Sequence, residues 1–231
     1  DAKKITDAKL VIVNGLGLEG WLPRLVKSSG SKAATVVATK GIATRKIEDG
    51  HSHDPSDADP HAWQSVVNAK TYVTNIRDAL IAADPAGAEA YNANAASYLS
   101  KLDALDRDVR EAVAKIPTER RSVISTHDAF GYFAAAYGIK FIAPQGVSTE
   151  SEPSARDIAA IISQIKKQKI PAVFLENVSD PRLMRRIAAE TGANIGGTLY
   201  SDSLTDEKGP APTYIDMVRH NIKALTSALS S

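Results

Sequence analysis

Short apolar runs closed by polar turns alternate along this chain with longer stretches in which apolar residues recur at steps of three and four. Leu10-Val11-Ile12-Val13, ended by Asn14-Gly15, predicts a buried strand. A helix should follow and end near Gly30, and Thr35-Val36-Val37-Ala38 predicts a second strand. Residues 41–62 are rich in His and Asp and poor in apolar residues, so they predict a polar loop. Val66, Ala69, Val73, Ile76, Leu80 and Ala83 then mark one face of a helix that stops at Asp84-Pro85. Tyr91, Ala95, Tyr98, Leu102, Leu105, Val109 and Val113 carry the same period through a second helix over 88–115. At the usual rise per residue it spans about 40 Å. That is long enough to run through a two-lobed molecule and tie its halves together; one side of a helical bundle is the alternative.

Beyond Pro117 the pattern becomes regular β/α alternation. Strands are predicted at 123–125, 139–143, 172–175 and 194–198, with helices between them and after the last. One helix is marked at both ends, by Asp180 as N-cap, Pro181 in the first turn and Gly192 past the C-terminus. Such alternation implies a parallel sheet covered on both faces, so residues 119–231 predict a four-stranded α/β lobe. The earlier half offers only two clear strands, and two parallel strands rarely make a covered sheet. One or two more strands are expected upstream of Asp1, which is not an initiator Met and reads as the start of a processed or truncated chain.

Composition narrows the chemistry. Of 231 residues, 43% are hydrophobic and 24% charged, enough to fill a core. The net charge of +1 gives no reason to expect nucleic-acid or membrane binding. No apolar run approaches the roughly 18 residues of a membrane span. The absence of cysteine excludes disulfides, thiolate zinc sites, iron–sulfur clusters and cysteine nucleophiles.

Several motifs carry candidate chemistry. Gly15-x-Gly17-x-x-Gly20 follows a strand, but the stretch from Thr35 to Lys40 lacks the carboxylate that would hold a ribose, so a tight strand-to-helix turn is the better reading. His61, in Asp59-Pro60-His61-Ala62-Trp63, stands just before a helix, stiffened by Pro60 and anchored by Trp63; it reads as a metal ligand or a surface histidine. His127, in Ser125-Thr126-His127-Asp128-Ala129-Phe130, follows a strand at the edge where open parallel sheets bind ligands, or caps the next helix. Asp202, after the fourth strand, falls on that same edge and reads as a ligand or a turn carboxylate. Glu176 ends the third strand there and could orient an imidazole or stand in solvent. His51 and His53 form a His/Asp-rich tract suited to loose metal capture or simple solvation, and His220 reads as a surface residue. Neither G-x-S-x-G nor H-E-x-x-H occurs.

Together these stretches resemble one family: the metal-specific, cluster A-I solute-binding proteins of bacterial ABC importers. The resemblance rests on 14–21, 59–63, 125–133, 176–182 and 199–204, which occur in the family's order and spacing across nearly the whole chain. It implies an α/β fold of two lobes, each a parallel sheet covered by helices, joined by one long rigid helix. The expected divisions are 1–86, 87–116 for the linker, and 117–231. It further implies a metal held between the lobes by His61, His127 and Asp202. A first ligand, the His of an H-x-Y-x-P segment, is absent here and would lie just before Asp1. Glu176, His51 and His53 are accessory candidates.

Manganese-binding members resemble one another in carrying Glu where this chain has His127, so the resemblance implies the zinc type. Imidazole suits zinc, and four protein ligands leave no open position for a reacting water, which argues capture rather than hydrolysis. The expected role is capture of Zn2+ in the periplasm, or at the cell surface as a lipoprotein. The expected delivery is to an ABC permease, with the chain a monomer and a periplasmic zinc chaperone as a candidate donor. Mn2+ or Fe2+ import is the alternative within the family. A zinc hydrolase with Glu176 as base and an adhesin-like surface protein are readings from other classes.

Overall fold

The computed structural model describes residues 2–47, 58–147 and 153–230. The chain divides into two compact units, 1–104 and 105–231. The first contains α1 (Ala2–Asp7), β1 (Leu10–Val13), α2 (Leu22–Ser28), β2 (Ala34–Val37) and α3 (Val66–Ala83). A single uninterrupted helix, α4 (Ala88–Ala114), then contains the division between units. The second unit adds β3 (Ser122–Ile124), α5 (Gly131–Tyr137), β4 (Lys140–Ile142), α6 (Ala155–Gln168), β5 (Ala172–Glu176), α7 (Arg182–Thr191), β6 (Asn194–Leu199) and α8 (Tyr214–Leu229).

In the first unit β1 and β2 pair in parallel, Leu10 beside Ala34 through Val13 beside Val37. The Leu10–Val13 strand was expected to be buried, yet Ile12 is 40% exposed, as is Val37 of β2 on the opposite face of the pair. The G-x-G-x-x-G turn runs through Gly15, Leu16 and Gly17, all at positive φ. A Cβ on Gly15 would stand 2.5 Å from Val37 Cγ1, so the glycine serves both backbone geometry and strand packing. α3 starts at Ser65, whose side chain accepts the Asn68 N–H, and it packs against both strands. α1 has no counterpart in the hydrophobic pattern: six residues with two lysines leave no period to read.

The second unit is a parallel four-stranded sheet in the order β4-β3-β5-β6. Val173 on β5 and Ile124 on β3 join Ile161 and Ile165 of α6 and Met184, Ile187 and Ala188 of α7 in one buried cluster. Phe174 faces the opposite side and meets β6 at Gly196 beside Ala228 of α8. On that side Phe130, Phe133, Tyr137 and Phe141 pack together, Phe130 stacked on Phe141 with ring centroids 4.7 Å apart and Phe133 edge-on to Phe141.

From β3 the chain moves outward to β4, then returns across to β5 and continues outward to β6 on the other flank. β3 and β5 therefore flank the point where the winding reverses, and their C-terminal ends open the crevice in which such sheets hold ligands. α6 opens with a capping box between Ser154 and Asp157. α7 differs slightly from expectation: its N-cap residue is Pro181, and the Asp180 carboxylate accepts the Arg182 N–H at 2.9 Å. Gly192 closes α7 at φ +74, as expected of a C-cap.

Candidate metal centre

The reversal point of the second sheet carries three of the expected side chains. Val123 and Ile124 bury β3, and the chain leaves it through Ser125, Thr126 and His127 before α5 begins. His127 is fully buried and still pairs in parallel with Gln145 beyond β4, so its backbone is held as an extension of the sheet. Glu176, the last residue of the neighbouring β5, places Oε1 on the N–H groups of Thr126 (2.7 Å) and His127 (2.9 Å). Its Oε2 meets His127 Nδ1 at 2.5 Å. One carboxylate thus fixes the backbone that carries the imidazole and the ring itself.

The other ring nitrogen, Nε2, stands 3.1 Å from Asp202 Oδ2. Asp202 lies beyond β6, in a loop, with its side chain 27% exposed. Two ligand atoms on one tetrahedral zinc, each at about 2.0–2.1 Å, lie about 3.3 Å apart. The observed separation therefore suits a shared cation. Without one, the same gap suits a proton. Burial alone would lower the His127 pKa, but the flanking Asp202 and Glu176 outweigh it and push it up to about 10. In this structure an imidazolium proton fits the space between Nε2 and Asp202.

His61 belongs to the first unit and is buried. It stands between Pro60 and a short turn of 3-10 helix, Ala62–Gln64, that leads into α3. The Asp59 Oδ1 accepts both the His61 backbone N–H (2.9 Å) and Nδ1 (2.8 Å). A carboxylate at Nδ1 keeps the hydrogen there and makes Nε2 the basic nitrogen of the ring. The Trp63 ring packs at 5.2 Å between centroids. Asp59 is tied in turn to Arg45: its N–H donates to the Arg45 carbonyl at 2.9 Å, next to the antiparallel bridge of Lys46 with Ala58.

Asn14, at the end of β1, ties this loop to the strand, its Nδ2 donating to the Pro60 carbonyl at 3.0 Å. Tyr72 Oη donates to Asn14 Oδ1, and Thr39 Oγ1 to the Asn14 carbonyl. The Glu19 carboxylate takes the Asn14 N–H at 2.6 Å and the Gly15 N–H at 3.0 Å. That last pair explains why the glycine-rich turn is no dinucleotide site: the amides that would face a phosphate already hold a carboxylate of the same turn.

Three roles escaped the sequence reading. The Asp59-Pro60-His61 stretch gives Asp59 no role by itself, although Asp two residues before His is the spacing of an Asx turn. Asn221 lies on the apolar stripe of α8 and holds Tyr200 by both backbone groups. His220, expected at the surface, is half buried; its Nε2 bonds the Thr198 carbonyl at 3.0 Å and its ring meets that of Tyr200. His51 and His53 lie outside the described residues.

The family whose profile matches residues 1–228 is that of ZnuA, the periplasmic component A of the zinc-uptake complex. The chain belongs to this family. It is 38% identical over 225 residues to the iron-binding protein YfeA of Yersinia pestis, covering 97% of this chain and 71% of the relative. It is 36% identical over 230 residues to the manganese-binding lipoprotein MntA of Halalkalibacterium halodurans, covering 100% and 75%. Among solved structures, the periplasmic zinc binding protein TroA of Treponema pallidum superposes with a TM-score of 0.91 at 30% identity, covering 100% of this chain and 84% of that one. A manganese-bound periplasmic metal binding protein of Candidatus Liberibacter asiaticus, an S38A mutant, superposes at 0.90 with 32% identity, covering 99% and 84%. The protein is therefore a metal-binding solute-binding component of an ABC transporter, not an enzyme. Such components work with a membrane permease and its ATPase, and relatives are periplasmic proteins or surface lipoproteins. Among the described residues, no helix is long and apolar enough to cross a membrane.

Proposed function

We propose that this chain captures Zn2+ outside the cytoplasm and delivers it to its permease, with His127 Nε2 and an Asp202 carboxylate oxygen as two of the ligands and His61 as a third. The observation that carries the reading is the pairing of His127 Nε2 with Asp202 Oδ2 at 3.1 Å while Glu176 holds Nδ1. An imidazole oriented by a buried carboxylate, facing a second carboxylate across the space of one ion, is the arrangement of a metal ligand. His61 repeats the device with Asp59. Imidazole-rich donor sets favour zinc over manganese, which prefers oxygen.

In this reading the chain acts as a monomer, and His51 and His53 give incoming zinc, free or carried by a periplasmic chaperone, a first and looser hold. The test of the ligand assignment is competition of His127→Ala against a chromophoric chelator. The proposal expects tight Zn2+ binding to be lost, and unaltered binding would refute it. Deleting residues 49–56 should slow zinc uptake from a chelator; unchanged uptake would remove the pre-capture role.

A second reading has its own support. YfeA and MntA are named for iron and manganese. Import of Mn2+ or Fe2+ by the same site is distinguished by competitive titration of the purified protein: preference for manganese over zinc at equal free concentration would select it.

A further inference from the structure

The buried face of α8 consists of Met217, Val218, Asn221, Ile222, Leu225 and Leu229, and its one polar member is Asn221, 4% exposed. Asn is a poor helix former, and a buried amide must find partners. Its partners are both backbone groups of Tyr200: Oδ1 accepts the Tyr200 N–H at 2.9 Å, and Nδ2 donates to the Tyr200 carbonyl at 2.8 Å.

Tyr200 is the first residue beyond β6, the edge strand. The carbonyl of the preceding residue, Leu199, accepts the Asn177 N–H on the β5 side at 3.2 Å. Successive residues of a strand direct their backbone groups to opposite sides, so those of Tyr200 and Thr198 point away from β5. Asn221 answers Tyr200 there as a neighbouring strand would, and His220 answers the Thr198 carbonyl at 3.0 Å. Gly196 lets the helix lie this close: a Cβ there would stand 2.9 Å from that of Ala228. Asp202 follows two residues later, with its carboxylate 3.1 Å from His127 Nε2.

We infer that Asn221 is a positioning residue for the metal site, its amide clamping the Tyr200 backbone so that the Asp202 carboxylate is presented to the ion at His127 Nε2. The inference rests on the reading of His127 and Asp202 as ligands. Loss of a partner bonded directly to a ligand weakens metal binding by about 10–100-fold, and Asn221, acting through the Tyr200 backbone, should fall at the low end of that range.

The test measures Zn2+ affinity by chelator competition, the visible absorption of the Co2+-loaded protein, and the melting temperature of the metal-free protein. It compares wild type, Asn221→Ala, Asp202→Ala and the double variant. Asn221→Asp, which retains the acceptor but not the donor, takes the place of Asn221→Ala should that variant fail to fold. Asn221→Ala should bind zinc about tenfold more weakly and change the Co2+ bands, because the ligand field depends on where the carboxylate sits. In the Asp202→Ala background the second substitution should cost no further affinity. A lowered melting temperature with unchanged affinity and unchanged Co2+ bands would overturn the proposal, as would losses that simply add in the double variant. If Asp202→Ala alone leaves zinc affinity unaltered, the ligand assignment fails and this inference with it.

Discussion

Replacing Glu176 by Gln removes one charge and changes no volume, and it should disable the site through a hydrogen atom. Glu176 Oε1 serves two backbone N–H donors, so the amide oxygen of Gln should keep that position. The NH2 group must then face His127 Nδ1 where Oε2 now stands at 2.5 Å. Two donors cannot share that contact. The imidazole must give up its Nδ1 hydrogen, and the neutral ring carries its proton on Nε2, the nitrogen that faces Asp202 and, in the proposed site, the metal. The two backbone bonds also fall from charge-assisted to neutral strength, from about 1.5–3 to about 0.5–1.5 kcal/mol each. The expected loss of stability is about 2–3 kcal/mol on that basis. Zinc affinity should fall by about 10–100-fold, the usual consequence of losing the partner of a metal-ligating His. Chelator competition and thermal melting of the metal-free protein measure the two quantities. Zinc affinity within twofold of wild type would refute the claim that Glu176 sets the His127 tautomer.

Three further outcomes follow from the same geometry. The imidazolium of metal-free His127 is raised from 6.5 to about 10, so the stability it contributes is fully present below about pH 6.5 and is lost as pH rises through about 10. Metal-free wild type should therefore lose more melting temperature between pH 7 and 10 than His127→Gln, and parallel curves would contradict the raised value. In the proposed site zinc displaces that proton, so calorimetry near pH 7.5 in buffers of different ionisation enthalpy should report release of about one proton from His127; buffer-independent enthalpies would contradict it. Gly15→Ala must hold a Cβ at φ +83 and 2.5 Å from Val37 Cγ1, which should cost at least about 1–2 kcal/mol from the backbone alone. Thermal denaturation measures it, and a melting temperature equal to wild type would show that the turn relaxes without penalty.

Much of the second unit was legible because a parallel sheet covered on both faces forces its strands into continuous apolar runs. Residues 172–175 and 194–198 fall within one residue of β5 and β6. The expected strand at 123–125 is displaced by one from β3 because Ser125 already belongs to the turn that carries His127. The long helix was equally plain, since Leu102, Leu105, Val109 and Val113 hold a strict helical period and all are buried. The strands of the first unit fall within one residue of their expected places, but the burial expected of Leu10–Val13 does not extend to Ile12, because an apolar run looks the same whether or not neighbouring chain covers it.

Of the site, His127, Asp202 and Glu176 could be assigned to one edge of one sheet because each stands at the C-terminal end of a strand of one parallel sheet. Which oxygen meets which nitrogen could not, because that depends on side-chain directions within loops. Asn221 shows the limit most clearly: at an apolar helical position it reads as an isolated irregularity until Tyr200, distant in sequence, is seen to need both of its amide groups.

The most direct measurement is the position of the ion itself. Crystals of the zinc-loaded protein, with anomalous data at the zinc edge, should show one strong peak between His127 and Asp202. It should lie about 2.0–2.2 Å from His127 Nε2 and from an Asp202 oxygen, with Glu176 still on Nδ1. A zinc peak elsewhere in the molecule, with the His127–Asp202 pair undisturbed at its metal-free separation, would contradict the account.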